Sequence, residues 1–162
     1  PRRKPEADGT LGVCIADFFK DVNDTQRDVI AMQIVTMGEQ ASEVSREWFA
    51  QNRYQDYMFL HGLSVECTEA MAEYVHARIR KELGIAGDDA EDLEKLLQQG
   101  YRGSRYSFGY AACPRLEDQE PILKLLQADK VGIVMTDEYM LHPEQSTSAI
   151  VVHHPAARYF NV

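Results

Sequence analysis

The chain has 162 residues, 44% hydrophobic and 27% charged, with a formal net charge of -9 at pH 7. This length fits one domain that buries roughly 70% of its unfolded surface, and the acidic balance opposes a nucleic-acid partner, which needs a concentrated basic face. The apolar runs are too short to span a bilayer, and no apolar segment follows the basic N-terminus, so neither a membrane partner nor a signal peptide is predicted.

The sequence pattern of the N-terminal third predicts one strand and one helix. Residues 1–10 have the composition of a linker or flexible terminus, and residues 11–162 are interpreted as the domain. The nearly continuous apolar run "DVIAMQIVTMG", residues 28–38, predicts a buried strand. Apolar residues then recur at helical spacing, which predicts a helix over residues 41–52.

The strongest helical period lies in residues 57–84, where Gly84 supplies a stop. The predicted apolar stripe of this helix comprises Leu60, Leu63, Cys67, Met71, Val75 and Ile79. Glu66, Glu69 and Glu73 share another side, because residues three and four apart lie on one face of a helix. Such a run is typical of a solvated face; if the helix borders a pocket, one glutamate could meet a cationic ligand group.

Two shorter helices are predicted next. Residues 88–100 have the pattern of a capped helix with Asp88 or Asp89 as its N-cap. Its inward residues are expected to be Leu93, Leu96 and Leu97. Another helix is predicted over residues 121–128, with a proline in its first turn. Its expected buried face comprises Ile122, Leu125 and Leu126.

The last third predicts strands separated by turn residues and prolines. The candidate segments are "VGIVMT" (131–136), "TSAIVVHH" (147–154) and "RYFNV" (158–162). Helices in the middle and strands at both ends, without regular βαβ alternation, predict the α+β class.

The stretch "RGSRYSFGYAACP", residues 102–114, concentrates arginine, aromatic residues, glycine and cysteine. The planar fork of Arg105 can hold a carboxylate through two parallel hydrogen bonds, and the neighbouring aromatics offer flat faces for a base. That combination suits an amino-acid or nucleoside ligand. The alternative is a structural ion pair of Arg105 within an aromatic-rich loop.

Cys113 raises a third possibility, a thiol nucleophile whose pKa is lowered by Arg105 or Arg115. A cysteine beside a proline is also typical of a small buried apolar group. The three cysteines lack CxxC spacing, which argues against a disulfide framework and a zinc site and favours a reducing, cytoplasmic setting. Without GxGxxG or a P-loop motif, neither a Rossmann dinucleotide site nor a P-loop is predicted. HExxH is absent and the five histidines lack an i, i+4 pair, so no metal ligand is predicted.

Three separated segments, in order, resemble the activation (reactivation) domain of cobalamin-dependent methionine synthase. They are "HGLSVECTEAMAEYVHARIR", "YRGSRYSFGYAACPRLEDQ" and "EQSTSAIVVHHPAARYF", and the resemblance runs from about Val29 to the C-terminus. It implies an α+β fold with a twisted antiparallel sheet and several flanking helices.

The resemblance also implies site residues for S-adenosylmethionine. The family's RxxxGYPACP matches Arg105 to Pro114, and Arg105 is expected to hold the methionyl carboxylate. The remaining implied contacts are Tyr110, Ala111 and Ala112 at the adenosyl group, Tyr159 and Phe160 closing the site, Glu69 at the sulfonium or ammonium, and an N-terminal aspartate, for which we choose Asp28 over Asp24 and Asp17. Two positions depart from the family, with Ala111 in place of a proline and Gln99 where some members carry glutamate.

The function implied by the resemblance is reductive methylation of oxidised cob(II)alamin to methylcobalamin, with S-adenosylmethionine as methyl donor. Cobalamin is expected on a neighbouring module, and flavodoxin or a similar protein is the expected electron donor. No residue of the chain is expected to be catalytic, and the domain alone is not expected to make methionine. The alternatives are a free-standing S-adenosylmethionine-binding regulatory protein and a Cys113 hydrolase.

Overall fold

The computed structural model describes Gly9 and residues 12–159. The α-helices are α1 (Glu39–Ala50), α2 (Tyr54–Glu82), α3 (Leu93–Leu97) and α4 (Glu120–Leu126). The strands are β1 (Ala31–Thr36), β2 (Ser104–Ser107), β3 (Val134–Met135), β4 (Leu141–His142) and β5 (Ser146–Val152). Short 3-10 turns cover Ile15–Phe18, Ala86–Asp88, Leu116–Gln119 and Ala128–Val131. The helices of the middle region and the strands β1, β3 and β5 confirm the predicted α+β class.

The strands form a three-stranded sheet in the order β1-β5-β2 and a two-stranded sheet of β3 and β4. Strand β2 runs antiparallel to β5, with Ser104 opposite Val152 and Ser107 opposite Ala149. Strand β2 stands at one end of this order, so it is an edge strand of the sheet among the described residues.

The chain divides into two compact units. The first comprises the described parts of Pro1–Met32 and Ala149–Val162 together with His76–Arg115, and the second comprises Gln33–Val75 and Leu116–Ser148. The first has a cluster of buried apolar residues formed by Phe18, Tyr106, Ala112, Val152 and Ala157. The second has a cluster formed by Leu123, Ala128 and Ile133. Apart from Gly9, the predicted linker 1–10 lies outside the described residues.

The buried stripe of α2 is displaced by one residue from the predicted apolar stripe. Leu63, expected to be inward, is 60% exposed. The buried residues instead recur every four positions and are Ser64, Thr68, Ala72, His76 and Arg80. The hydroxyls of Ser64 and Thr68 donate to carbonyl oxygens one turn earlier in the helix, each at 2.8 Å. Both hydroxyls therefore have a hydrogen-bond acceptor within the helix although they are buried.

The predicted end of α2 at Gly84 is confirmed. Gly84 has φ +72°, and its N–H donates to the carbonyl of Lys81 at 3.1 Å. The N–H of Ile85 donates to the carbonyl of Arg80 at 3.0 Å. These two bonds form a Schellman motif, which favours glycine at the left-handed position.

Helix α3 is shorter than predicted and begins later. Its N-cap is Asp92, whose carboxylate accepts from the N–H of Lys95 at 3.0 Å, so the choice of Asp88 or Asp89 was wrong. Leu93 and Leu97 are 67% and 65% exposed rather than inward.

Two further expectations differ from the structure. In α4 the buried residues are Ile122 and Leu123, whereas Leu125 is 68% exposed and Leu126 is 37% exposed. The predicted C-terminal strand is absent at Arg158 and Tyr159, and its last three residues lie outside the described residues.

Candidate ligand-binding site

The first half of "RGSRYSFGYAACP" forms the edge strand β2. Gly103 precedes it with φ +86°, and a Cβ there would overlap the carbonyl oxygen of Val152, so this close approach to β5 requires glycine. Ser104 and Tyr106 are buried, whereas Arg105 and Ser107 are half-buried. Because successive side chains of a strand point to opposite faces, Arg105 and Tyr106 lie on opposite faces of β2.

Tyr106 joins β2 to the C-terminal segment. Its ring is 1% exposed and belongs to the apolar cluster with Ala112 and Ala157. Its hydroxyl donates to the carbonyl oxygen of Arg158 at 2.9 Å. The apolar cluster therefore brings the turn after β2 close to the segment that carries Tyr159.

The second half of the stretch is a turn closed by two backbone hydrogen bonds. The N–H of Gly109 donates to the carbonyl of Cys113 at 2.8 Å, and the N–H of Cys113 donates to the carbonyl of Tyr110 at 2.9 Å. Tyr110 is 57% exposed, Ala111 is exposed and Ala112 is 8% exposed. Neither bond uses residue 111, so alanine in place of the family's proline leaves both bonds intact.

Cys113 is half-buried, forms no disulfide among the described residues and packs against the apolar cluster. That environment matches the small apolar role described for cysteine beside proline. The described residues contain no group of three or more histidine, cysteine, aspartate or glutamate side chains arranged to hold a metal ion.

A second cluster in the first unit is polar, and we define it as His76, Arg80, Asp89 and Tyr101. Arg80 is 0% exposed, and its Nε lies 3.0 Å from each carboxylate oxygen of Asp89. Its guanidinium carbon lies 4.0 Å from the ring centroid of Tyr101, whose ring meets His76 edge-on at 5.0 Å. This buried ion pair and cation–π contact were missed from the sequence.

Burial, together with the positive charges of Arg80 and Arg105, lowers the pKa of His76 to about 3. His76 is thus neutral at ordinary pH. Neither ring nitrogen of His76 has a hydrogen-bond partner among the described residues.

Asp28 anchors the segment before β1. Its carboxylate accepts from the N–H of Lys20 at 3.1 Å, from the N–H of Val29 at 3.0 Å and from Nε2 of His153 at 2.9 Å. The two backbone N–H groups and His153 hold the pKa of Asp28 below its usual value. The side chain of Asp28 retains 18% exposure, so part of the carboxylate is still accessible.

The C-terminal segment is tied back to the residues before β2. The N–H of Tyr159 lies 3.3 Å from Oε1 of Gln99, and Nε2 of Gln99 donates to the Ser104 hydroxyl at 2.8 Å. Tyr159 is 51% exposed, which leaves its ring available. Phe160 lies outside the described residues.

Comparison with protein families identifies the chain. A family model described as the activation domain of vitamin B12 dependent methionine synthase matches residues 2–162. The chain belongs to this family.

Two relatives and one solved structure support the assignment. The methionine synthases of Mycobacterium leprae (strain TN) and Mycobacterium tuberculosis (strain ATCC 25618 / H37Rv) are 47% and 46% identical to it, each match covering 93% of the chain. The chain spans 13% of the length of these relatives. The crystal structure of the MetH reactivation domain bound to AdoHcy matches with a TM-score of 0.89 at 29% identity, covering 98% of this chain and 50% of that chain. This likeness confirms the predicted antiparallel sheet with flanking helices.

The residues expected at the ligand site of this activation domain are distributed over both units. In the first unit, the segments carrying Tyr110, Ala112 and Tyr159 meet at the apolar cluster, while Arg105 lies on the opposite face of β2. Glu69 is an exposed residue of α2 in the second unit. No helix in the described part of the chain is both long and apolar enough to cross a membrane.

Proposed function

We propose that this activation domain binds S-adenosylmethionine and presents its methyl group to cobalamin carried by another module of a methionine synthase. Membership of the family supports the proposal. So does the likeness to a MetH reactivation domain bound to AdoHcy, the compound left when S-adenosylmethionine has given up its methyl group. The relatives are far longer than the chain, which leaves room for the cobalamin-bearing module elsewhere.

The observation that carries the proposal is the position of Arg105 on an edge strand. Its half-buried guanidinium suits the methionyl carboxylate, because charge-assisted, bidentate pairs gain strength when partly shielded from water. The turn at Tyr110, Ala111 and Ala112 would border the adenosyl group.

The remaining expected residues would act at the ends of the ligand. Tyr159 and Phe160 would close the site over the adenosyl group, with the backbone of Tyr159 held by Gln99. Glu69 and Asp28 would supply negative charge for the sulfonium or ammonium. Asp28 would contribute only the part of its carboxylate that Lys20 and His153 leave accessible.

The protein's contribution to the reaction would be orientation. Cobalamin is the substrate that accepts the methyl group, and an external reductant supplies the electron for its oxidised form. Holding the donor and the acceptor together converts an encounter into an effectively intramolecular transfer, so no general acid or base is required of the chain. S-adenosylhomocysteine is the product that leaves the site.

The proposed partners follow from this role. They are a cobalamin-binding module of the same protein and an electron donor of the flavodoxin type. The three cysteines form no disulfide among the described residues, which supports a reducing cytoplasmic location.

A methyl-transfer assay tests the proposal. The 162-residue chain is mixed with a cobalamin-bearing module in the oxidised state, a reductant and S-adenosylmethionine, and methylcobalamin is followed by its absorption spectrum. We expect methylcobalamin to form only when the chain is present. Its formation should be lost with Arg105→Ala and retained with Arg78→Ala, which replaces an exposed arginine of α2. Ligand binding without methylation would favour the regulatory-protein alternative.

A further inference from the structure

A cavity of about 430 Å³ in the first unit lies between residues 99–102 and the segment 155–158. Two of its lining residues are arginines, Arg102 and Arg158, and Arg105 is not among the residues that line it. The cavity is thus separate from the carboxylate position proposed above.

The two arginines hold the walls of the cavity reciprocally. Nε of Arg102 donates across to the carbonyl of His153 at 3.0 Å. Nη1 of Arg158 donates in the other direction, to the carbonyl of Tyr101 at 3.1 Å. Each guanidinium is therefore fixed through one nitrogen, which leaves its other N–H donors for a further acceptor.

Neither arginine forms an ion pair with a carboxylate within Gly9 and residues 12–159. Three exposed arginines, Arg46, Arg53 and Arg78, each have an acidic partner within 4.0 Å, whereas Arg27 donates to the carbonyl of Val22 instead. Arg102 and Arg158 place two guanidinium groups, each tied to a backbone carbonyl, in a cavity whose lining also includes the carboxylate of Asp88. The two positive charges exceed that negative charge.

We propose that this cavity binds an oxyanion, the chemistry shared by phosphate esters and small carboxylates. The planar forks of Arg102 and Arg158 suit two or three acceptor oxygens. Gln99 adds a polar side chain to the lining, and Asp88, which also lines the cavity, favours a ligand that carries a hydroxyl or ammonium group beside its oxyanion.

The alternative assigns both arginines a purely structural role as ties between the two segments. The structural role predicts that any effect of substitution is independent of added anions. Anion binding instead predicts a saturable response that depends on the guanidinium groups.

The test is a titration of the ¹⁵N-labelled 162-residue chain with sodium phosphate and, separately, with sodium malonate, against sodium chloride at constant ionic strength. We expect saturable amide shifts at residues 99–102 and 155–158, excluding the proline, with one of the two anions. Tighter binding of phosphate would indicate that the site prefers phosphate esters, and tighter binding of malonate would indicate that it prefers small carboxylates.

Matched variants keep the proposal falsifiable. Arg158→Gln should weaken the apparent binding of the anion at least about tenfold, and Arg78→Gln, with the same change in charge, should leave it unchanged. If Arg158→Gln does not fold, Arg102→Gln and Arg158→Lys replace it, with a smaller loss for lysine. Absence of a saturable response, or equal responses in the Arg158 and Arg78 variants, would overturn the proposal. Arg105→Ala should leave the anion titration intact, so failure of S-adenosylmethionine binding is distinguished from failure of this site.

Discussion

The first unit buries two clusters of opposite character, an apolar cluster around Tyr106 and the polar cluster of His76, Arg80, Asp89 and Tyr101. The apolar cluster is held by contacts that depend little on direction. The polar cluster depends on an ion pair at 3.0 Å and a cation stacked 4.0 Å from an aromatic ring. The apolar cluster therefore adds to the stability of the unit, whereas the polar cluster is stable only while all its partners are present.

The largest expected effect comes from removing one partner of the buried ion pair. Asp89→Asn leaves the 0% exposed Arg80 without its carboxylate, and we expect the free energy of unfolding to fall by about 3 to 5 kcal/mol. Urea denaturation followed by circular dichroism measures the change. Asp88→Asn, at an exposed neighbouring position, should change the free energy of unfolding by less than about 0.5 kcal/mol. Equal effects of the two substitutions would show that the ion pair is not what stabilises the polar cluster.

The apolar cluster should respond to loss of volume. Val152 is 1% exposed, and Val152→Ala should lower the free energy of unfolding by about 2 to 3 kcal/mol because it removes buried methyl groups and leaves a cavity. Val22 is 75% exposed, so Val22→Ala is the matched control. A loss for Val152→Ala that matched the control would contradict the description of this cluster as the core of the unit.

The pH dependence of stability separates the clusters further. The folded pKa of His76 is about 3 and the unfolded value is 6.5, so the unfolded chain binds more protons between these values. The contribution of His76 is complete above pH 6.5 and is lost as the pH falls, which amounts to about 2 kcal/mol between pH 7 and pH 5. His76→Phe should remove this part of the slope in urea denaturations at the two pH values. An unchanged slope would show that His76 is not buried in its neutral form.

The same comparison explains what could be predicted from the sequence. The strand over Ala31–Thr36 and the end of α2 at Gly84 follow from an apolar run and from a left-handed glycine, which are local signals. The buried side of α2 could not be predicted from apolar spacing, because Ser64 and Thr68 satisfy their hydroxyls within the helix and Arg80 is buried only because Asp89 pairs with it. That partner is nine residues away.

The candidate site shows the same limit. The stretch 102–114 was singled out by composition, but its strand β2 was missed because four residues, two of them serine and one arginine, do not form an apolar alternation. The family resemblance supplied the expected ligand contacts, and these remain predictions. The cavity between Arg102 and Arg158 had no sequence signal, because its walls come from segments more than fifty residues apart that are joined through backbone carbonyls.

Calorimetric titration of S-adenosylmethionine into the 162-residue chain, and into its Arg105→Ala and Arg78→Ala variants, tests directly whether Arg105 holds the ligand carboxylate. We predict saturable one-to-one binding that Arg105→Ala weakens by about 2 to 4 kcal/mol, because a charge-assisted contact to the carboxylate is lost, and that Arg78→Ala leaves unchanged. Unchanged affinity in a folded Arg105→Ala variant, or no binding by the unmodified chain, would contradict the claim that "RGSRYSFGYAACP" forms the site for S-adenosylmethionine.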